Sequence, residues 1–389
     1  MKRILKIMLV ALSVATAIWA QDSIPWYVDR WNVHQLSLMA KNMPLVSVQG
    51  NHFITPDGRT ILFRGIAISD PDKVARQGHW NKEHFERVKA LGANIVRIPI
   101  HPIAWRERTP DMYLKMLDEA VDWCTELKMY VMLDWHTIGN LEMEMFQDPM
   151  YVTTKQETFD FWRKIAGHFA GNNTVAFYEL FNEPTTYRGQ LGVCTWSDWK
   201  KLVERMITVI RYADKETIPV VAGFDWAYDL TPLHNEPINA DGIAYSVHPY
   251  SNKSPQPWAI TWEENYGFAA KTWPVFATEF SYDSTDMPSL IEPAKGFIPG
   301  NFKLKDPEKG MGKGNLIMTP GKPIDFDGDH YGNQIIGYLE GKGISWCIWV
   351  FDPDWGGAKI KSWNYEPTEG LKFFSAAMKG QLKVQQKKK

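Results

Sequence analysis

Along the chain, short runs in which nearly every residue is apolar alternate with longer stretches whose apolar residues recur at every third or fourth position. The runs are "ILFRGIAI" (61–68), "NIVRIPI" (94–100), "YVMLDWH" (130–136), "AFYELFNE" (176–183), "PVVAGFDW" (219–226), "IAYSVHPY" (243–250), "PVFATEF" (274–280) and "ISWCIWVF" (344–351). Strands that are apolar on both faces are buried on both, and such strands need a crossover helix to return parallel. Segments such as "KEHFERVKALG", "MLDEAVDWCTEL", "TFDFWRKIAGHFA" and "WSDWKKLVERMITVIRYA" carry the spacing of amphipathic helices. Eight strands that alternate with such helices predict an α/β fold, closed as a (β/α)8 TIM barrel.

Two connections depart from this rhythm. After the fifth run only "YDLTPLHNEPINADG" intervenes, and after the seventh the segment 285–330 is long and rich in Gly, Pro and Lys. Ahead of the first run, "LVSVQGNHFITPDGRTILF" places a Pro-Asp-Gly turn between two extended stretches, which predicts a small N-terminal β-hairpin closing the bottom of the barrel. No internal repeat or second domain is visible. The expected division is a signal peptide over 1–20, a lead-in over 21–44, one barrel domain over 45–381 and a basic tail over 382–389.

The signal assignment rests on Lys2, Arg3 and Lys6, an apolar stretch from Ile7 to Trp19, and the small Ala20 before Gln21. That stretch is shorter than the ~20 residues needed to span a bilayer. The expectation is a protein secreted to the periplasm or beyond, with no membrane association after cleavage. Composition narrows the partners. A formal net charge of -2 with both signs interspersed leaves no basic stripe for nucleic acid. The 18 Trp exceed what a core requires and suit a face that binds flat rings. Cys124, Cys194 and Cys347 allow at most one disulfide and match no metal motif.

In a barrel of this kind chemistry sits at the C-terminal ends of the strands. Those ends carry Arg97, His136, Asn182, Glu183, His248, Tyr250, Glu279 and Trp349, which are expected to converge on one mouth. Asn-Glu-Pro occurs twice, at Glu183 and at Glu236. Glu183 follows the strand-like "AFYELF", whereas Glu236 follows "YDLTPLH", which has no strand pattern, so Glu183 is the chemical one. Glu279, three strands further round, supplies the second carboxylate that glycoside cleavage needs. His136 and His248 lie at no metal-ligand spacing from each other or from a carboxylate, and "DFDGDH" (325–330) lacks the later ligands of a calcium loop. Neither metal nor cofactor is expected.

From about Leu45 to Ser375 the chain resembles glycoside hydrolase family 5, the cellulase-type barrels of clan A, which are retaining enzymes. The family's strand-two arginine falls on Arg97, its strand-three histidine on His136, and its Asn-Glu pair on Asn182 and Glu183. Its strand-six His and Tyr fall on His248 and Tyr250, its nucleophile on Glu279, and its strand-eight tryptophan on Trp349. The resemblance implies Glu183 as acid and base and Glu279 as nucleophile. Arg97 and Tyr250 would then support Glu279, Asn182 would bridge it to the sugar 2-hydroxyl, both histidines would orient groups, and Trp349 would face the sugar ring. For the acid role, Glu183 is expected to start protonated, held so by burial and a neighbouring carboxylate.

Trp105, Trp226, Trp258 and Trp355 lie in loops after strands and are candidate subsite platforms in a cleft for a polymer. The expected activity is endo-hydrolysis of a β-glycan polysaccharide or oligosaccharide, first of all β-1,4-glucan, as by a cellulase. β-Mannan, xyloglucan and mixed-linkage glucan are the alternatives on the same scaffold, and a glycan-binding barrel without catalysis is the alternative of another class.

Overall fold

The computed structural model describes residues 43–281, 288–289, 319–320 and 331–382. The second barrel strand, Ile95–Ile100, shows how its pattern becomes a fold. Successive side chains of a strand point to opposite faces. Val96, Ile98 and Ile100 join the outer cluster against the helices, Ile95 joins the cluster inside the barrel, and Arg97 is wholly buried. The same division holds in the third strand, Tyr130–Trp135. There Val131, Leu133 and Trp135 go outward and Tyr130 and Met132 inward.

The remaining barrel strands are Arg64–Ile68, Val175–Glu179, Ile218–Ala222, Ala244–Val247, Val275–Ala277 and Ser345–Phe351. All eight pair in parallel in chain order, and the eighth closes on the first with Cys347 opposite Gly65. The α/β barrel expected from the sequence is therefore the one present. Helices Lys82–Ala90, Pro110–Leu127, Lys155–Phe169 and Trp196–Ala213 follow the first four strands. The last of these starts on a capping box, in which Thr195 and Asp198 satisfy each other's backbone N–H groups. Trp258–Asn265, Tyr331–Gly341 and Glu369–Met378 follow the sixth, seventh and eighth strands. The fifth crossover has no full helix, only the short turns Phe224–Ala227 and Thr231–His234, as its sequence lacks a helical stretch.

An N-terminal hairpin is present, but its turn differs from the expected one. Ser47–Gln49 pairs antiparallel with His52–Ile54 around Gly50 and Asn51. The Pro-Asp-Gly turn comes next and joins Ile54 to Thr60 through a single bridge. Phe53 of the hairpin packs edge-on against Phe63 and Phe177, with ring centres 5.7 and 5.0 Å apart, and so plugs the bottom of the barrel.

Several strand ends also shift. The fourth strand stops at Glu179, and Glu183–Pro184 forms a separate rim strand beside Ile138–Asn140. The fifth stops at Ala222, before Trp226. Cys124, Cys194 and Cys347 are all free thiols. The signal segment, the lead-in before Met43, the calcium-like 325–330 and the tail beyond residue 382 lie outside the described residues, as does 285–330 apart from two short pairs. Among the described residues, no helix is long and apolar enough to cross a membrane.

Candidate active site

The mouth is organised around one guanidinium. Arg97 projects inward from the second strand and is fully withdrawn from solvent. Its Nε donates to Glu179 Oε2 at 2.6 Å, its Nη1 to Glu279 Oε2 at 3.0 Å and its Nη2 to Asn182 Oδ1 at 2.6 Å. Asp134 Oδ2 lies 2.9 Å from Nη2. A buried charge is tolerated when it is paired and fully hydrogen-bonded, and the five-donor fork of arginine meets that need. One cation thus faces three carboxylates. Burial pushes Asp134 well above the usual carboxylate range, and Glu179, Glu279 and Glu183 add to that rise against the pull of Arg97.

Glu279 stands just beyond the seventh strand with both oxygens engaged. Tyr250 Oη donates to Oε1 at 2.8 Å, and Arg97 donates to Oε2. Burial, with Glu279 and Glu183 close by, holds the Tyr250 phenol well above its ordinary value, which keeps it a donor. Asn182 and Glu183 are fixed by the rim rather than by the barrel strand. Asn182 N–H donates to Trp135 O at 3.1 Å and Glu183 N–H to Thr137 O at 3.0 Å. Asn182 spends its carbonyl on Arg97, so its buried Nδ2 has no protein partner among the described residues and remains a donor toward the mouth.

Glu183 accepts from His248 Nδ1 at 2.9 Å. The other ring nitrogen of His248 meets Thr278 Oγ1 at 3.0 Å, and that hydroxyl donates to Glu179 Oε1 at 2.5 Å. Lys253 Nζ approaches Glu183 Oε1 to 3.7 Å. These contacts correct the protonation expected from the sequence. Burial does raise the Glu183 carboxyl, but Lys253, His248 and Arg97 outweigh it and hold the group below its ordinary value. His248 moves the other way. Burial lowers its imidazolium, and Glu279, Glu179 and Glu183 more than restore it. Both shifts favour a His248 imidazolium facing a Glu183 carboxylate over a neutral pair.

His136 donates through or accepts at Nδ1 with Asp134 Oδ2, 2.6 Å away, and its ring lies parallel to Trp349 at 5.3 Å. Burial, with His101, Arg97 and His248 near, keeps His136 neutral. Trp349 points into the mouth from the eighth strand, and its Nε1 donates to Gly356 O at 2.9 Å. Gly357 makes that approach feasible, since a Cβ there would stand 2.8 Å from the Trp349 ring.

The structure brings together Arg97, His136, Asn182, Glu183, His248, Tyr250, Glu279 and Trp349. It separates the four loop tryptophans. Trp105 is buried edge-on against Phe161 at 4.9 Å, and Trp258 is buried parallel to Trp262 at 6.1 Å and against Tyr331 at 5.3 Å. Trp105 lies within the helix Pro102–Glu107 and Trp258 opens the helix Trp258–Asn265, each on the buried face, so neither is a platform. Trp226 and Trp355 are half-buried. Trp355 lies 6.4 Å from Trp349, and Trp226 packs on Tyr187 while donating to Gln147 at 2.7 Å. Glu236 is exposed after the short turn Thr231–His234, away from the strand ends.

The sequence spacing gave no metal set, yet one oxygen each of Glu183 and Glu279 and one nitrogen of His248 lie within 4.8 Å of one another. The chemistry of these donors does not fit an ion. Both Glu279 oxygens and the facing His248 nitrogen are already hydrogen-bonded, and two cations, Arg97 and Lys253, stand where a third would be repelled. Four participants escaped the sequence reading: Asp134, Glu179, Thr278 and Lys253. For Asp134 and Glu179 a signal existed, a charge inside an apolar strand in the same inward phase as the site residues.

Residues 56–295 match the family described as Cellulase, glycosyl hydrolase family 5. A β-glucanase from Saccharophagus degradans is 41% identical, with a TM-score of 0.76 over 87% of this chain and 94% of that one. The same enzyme in complex with cellotetraose superposes with a TM-score of 0.77. Endoglucanase A of Butyrivibrio fibrisolvens is 26% identical over 53% of this chain and 45% of its own length. Endoglucanase E-5 of Thermobifida fusca is 27% identical over 46% of this chain and 35% of its own, so the chain matches less than half of each of these two relatives.

Proposed function

The chain belongs to the cellulase family, glycosyl hydrolase family 5, and from that premise we propose that it is a secreted, retaining endo-β-glucanase acting on β-1,4-linked glucan. The observation that carries the reading is the approach of Glu183 and Glu279, an oxygen of each within 4.8 Å of the other. Carboxyl groups of retaining glycosidases stand about 5–5.5 Å apart, whereas inverting ones leave roughly 6.5–9.5 Å for a water.

Glu279 attacks the anomeric carbon as Glu183 delivers a proton to the departing glycosidic oxygen. Substrate binding displaces water from the mouth and draws the proton of the His248–Glu183 pair onto Glu183. Once Glu279 is esterified its negative charge is gone, which lowers Glu183 further and suits it to take a proton from the incoming water. The second attack restores the β configuration. Asn182 Nδ2 is placed to hold the 2-hydroxyl, a bond that strengthens in the oxocarbenium-like state. Trp349 and Trp355 offer faces to sugar rings on one side of the cut bond. The choice of glucan draws support from the Saccharophagus β-glucanase and its cellotetraose complex. Secretion rests on the basic and apolar N-terminal residues alone.

A reducing-sugar assay over carboxymethyl-cellulose, mixed-linkage glucan, xyloglucan and glucomannan tests the proposal. Release from the cellulosic substrate that vanishes in Glu279→Ala is expected. Faster release from glucomannan or xyloglucan would move the specificity, and no release from any would remove the activity.

A further inference from the structure

Lys253 ends the short turn Ser251–Lys253, just beyond His248 and Tyr250. Its side chain is only 15% exposed, and its Nζ lies 3.7 Å from Glu183 Oε1. The same ammonium donates to the carbonyl of Trp226 and stands over the faces of Tyr228 and Tyr250, at 5.9 and 5.8 Å. Trp226 belongs to a stretch in which Asp225, Trp226 and Ala227 all adopt left-handed backbone conformations, with φ of 57°, 56° and 55°. Side chains rarely accept that region, so the stretch needs an external tether. Gln147 on the Trp226 ring and the His248 N–H on the Ala227 carbonyl supply two such tethers, and Lys253 supplies a third that reaches the acid as well.

We propose that Lys253 is a positioning residue for Glu183, one that binds its carboxylate to the Trp226 stretch and favours the half-reaction in which Glu183 accepts a proton from water. The inference rests on the glycosidase reading above. A cation beside a carboxyl favours its ionised form, so it reduces the protonated fraction that the first half-reaction needs and keeps the carboxylate that the second one needs. The remaining groups around Glu183 make the contribution of Lys253 distinct. His248 is in direct contact at 2.9 Å, Glu279 stands across the mouth, and Arg97 and Asp134 lie below. Asp225 flanks from the Trp226 side, where burial raises it. Of the two cations, Arg97 is already shared among three carboxylates. Lys253 has Glu183 as its nearest carboxylate. Burial lowers the Lys253 ammonium, and Glu183, Asp225 and Glu279 work against that fall.

The test compares the full chain with Lys253→Met, Lys253→Gln and Lys253→Arg on two aryl β-cellobiosides. Phenol leaves poorly and needs the proton, while 2,4-dinitrophenol leaves without one, so that hydrolysis of the glycosyl-enzyme limits turnover. For the phenyl substrate the basic limb of kcat/KM reports loss of the proton that His248 and Glu183 share in the free enzyme. In Lys253→Met that limb should move up by about one pH unit or more, the scale on which a neighbouring charge acts. For the dinitrophenyl substrate kcat should fall severalfold. Lys253→Arg should keep both properties near those of the parent. Lys253→Gln keeps a donor for the Trp226 carbonyl without the charge, so it should show the pH shift even where Lys253→Met folds poorly. Glu183→Gln, measured in parallel, checks the underlying reading: intact hydrolysis of the phenyl substrate there would remove the acid role, whatever Lys253 does. With that control behaving as expected, an unmoved basic limb in Lys253→Gln, or an equal loss in Lys253→Arg, would overturn the proposal.

Discussion

Arg97 and Glu179 meet at 2.6 Å with neither side chain touching solvent. The pair lies one layer below the reacting carboxylates and links them, since Arg97 also binds Glu279 while Glu179 reaches His248 through Thr278. Burial raises the Glu179 carboxyl, but Arg97, His248 and Thr278 bring it down to about 2. An unfolded glutamate titrates near ~4.3. Because the folded value is depressed, the stabilisation is present above the unfolded value and is lost as pH falls through the folded one. Urea unfolding should therefore show stability declining from about pH 5 toward pH 2. Glu179→Gln should cost about 3 kcal/mol at neutral pH and flatten that decline. Parallel pH curves for the two proteins would show that this carboxylate is not the coupled group.

Trp258 and Trp226 should now behave differently. Trp258 is packed between Trp262 and Tyr331, so Trp258→Ala should lower unfolding stability by about 3–5 kcal/mol. It should leave the ratio of kcat/KM for long and short cello-oligosaccharides unchanged. Trp226 is half-buried beside the acid, and Trp226→Ala should alter that ratio with a smaller loss of stability. A change of ratio in Trp258→Ala would return that residue to the cleft.

The two Asn-Glu-Pro glutamates provide a further contrast. Glu236→Gln should leave turnover within a few fold, because the residue is exposed on a turn outside the mouth. Glu183→Gln should lose the ~10²–10⁴-fold associated with positioned proton transfer, and less of it for acidic leaving groups. Loss of a similar size in Glu236→Gln would contradict the assignment.

What the sequence disclosed, and what it did not, has a physical logic. Position at the C-terminal ends of the apolar runs placed Arg97, His136, His248 and Trp349 at the mouth, since in such a barrel that end carries the chemistry. The ends of the fourth and fifth strands were misplaced because apolar character continues past the ladder. Leu180 and Phe181 stay buried while the chain leaves the barrel for the rim. Tryptophan after a strand was a weak guide because a ring on the buried face of a short helix, as in Trp105 and Trp258, looks the same in sequence as one that lines a cleft. Lys253 carried no signal at all: its role arises from the left-handed Trp226 stretch and the Glu183 rim coming together. The protonation of Glu183 was misread for the same reason, because the cation responsible is distant in sequence.

The double displacement on Glu279 is tested most directly by the configuration of the azide formed when Glu279→Ala hydrolyses 2,4-dinitrophenyl β-cellobioside in sodium azide. Without the nucleophile, turnover should fall by several orders of magnitude, and azide should enter once from the α face. Proton NMR should then show α-cellobiosyl azide. β-Cellobiosyl azide would mean that Glu279 is the acid and base, and that Glu183 is the group attacking the sugar.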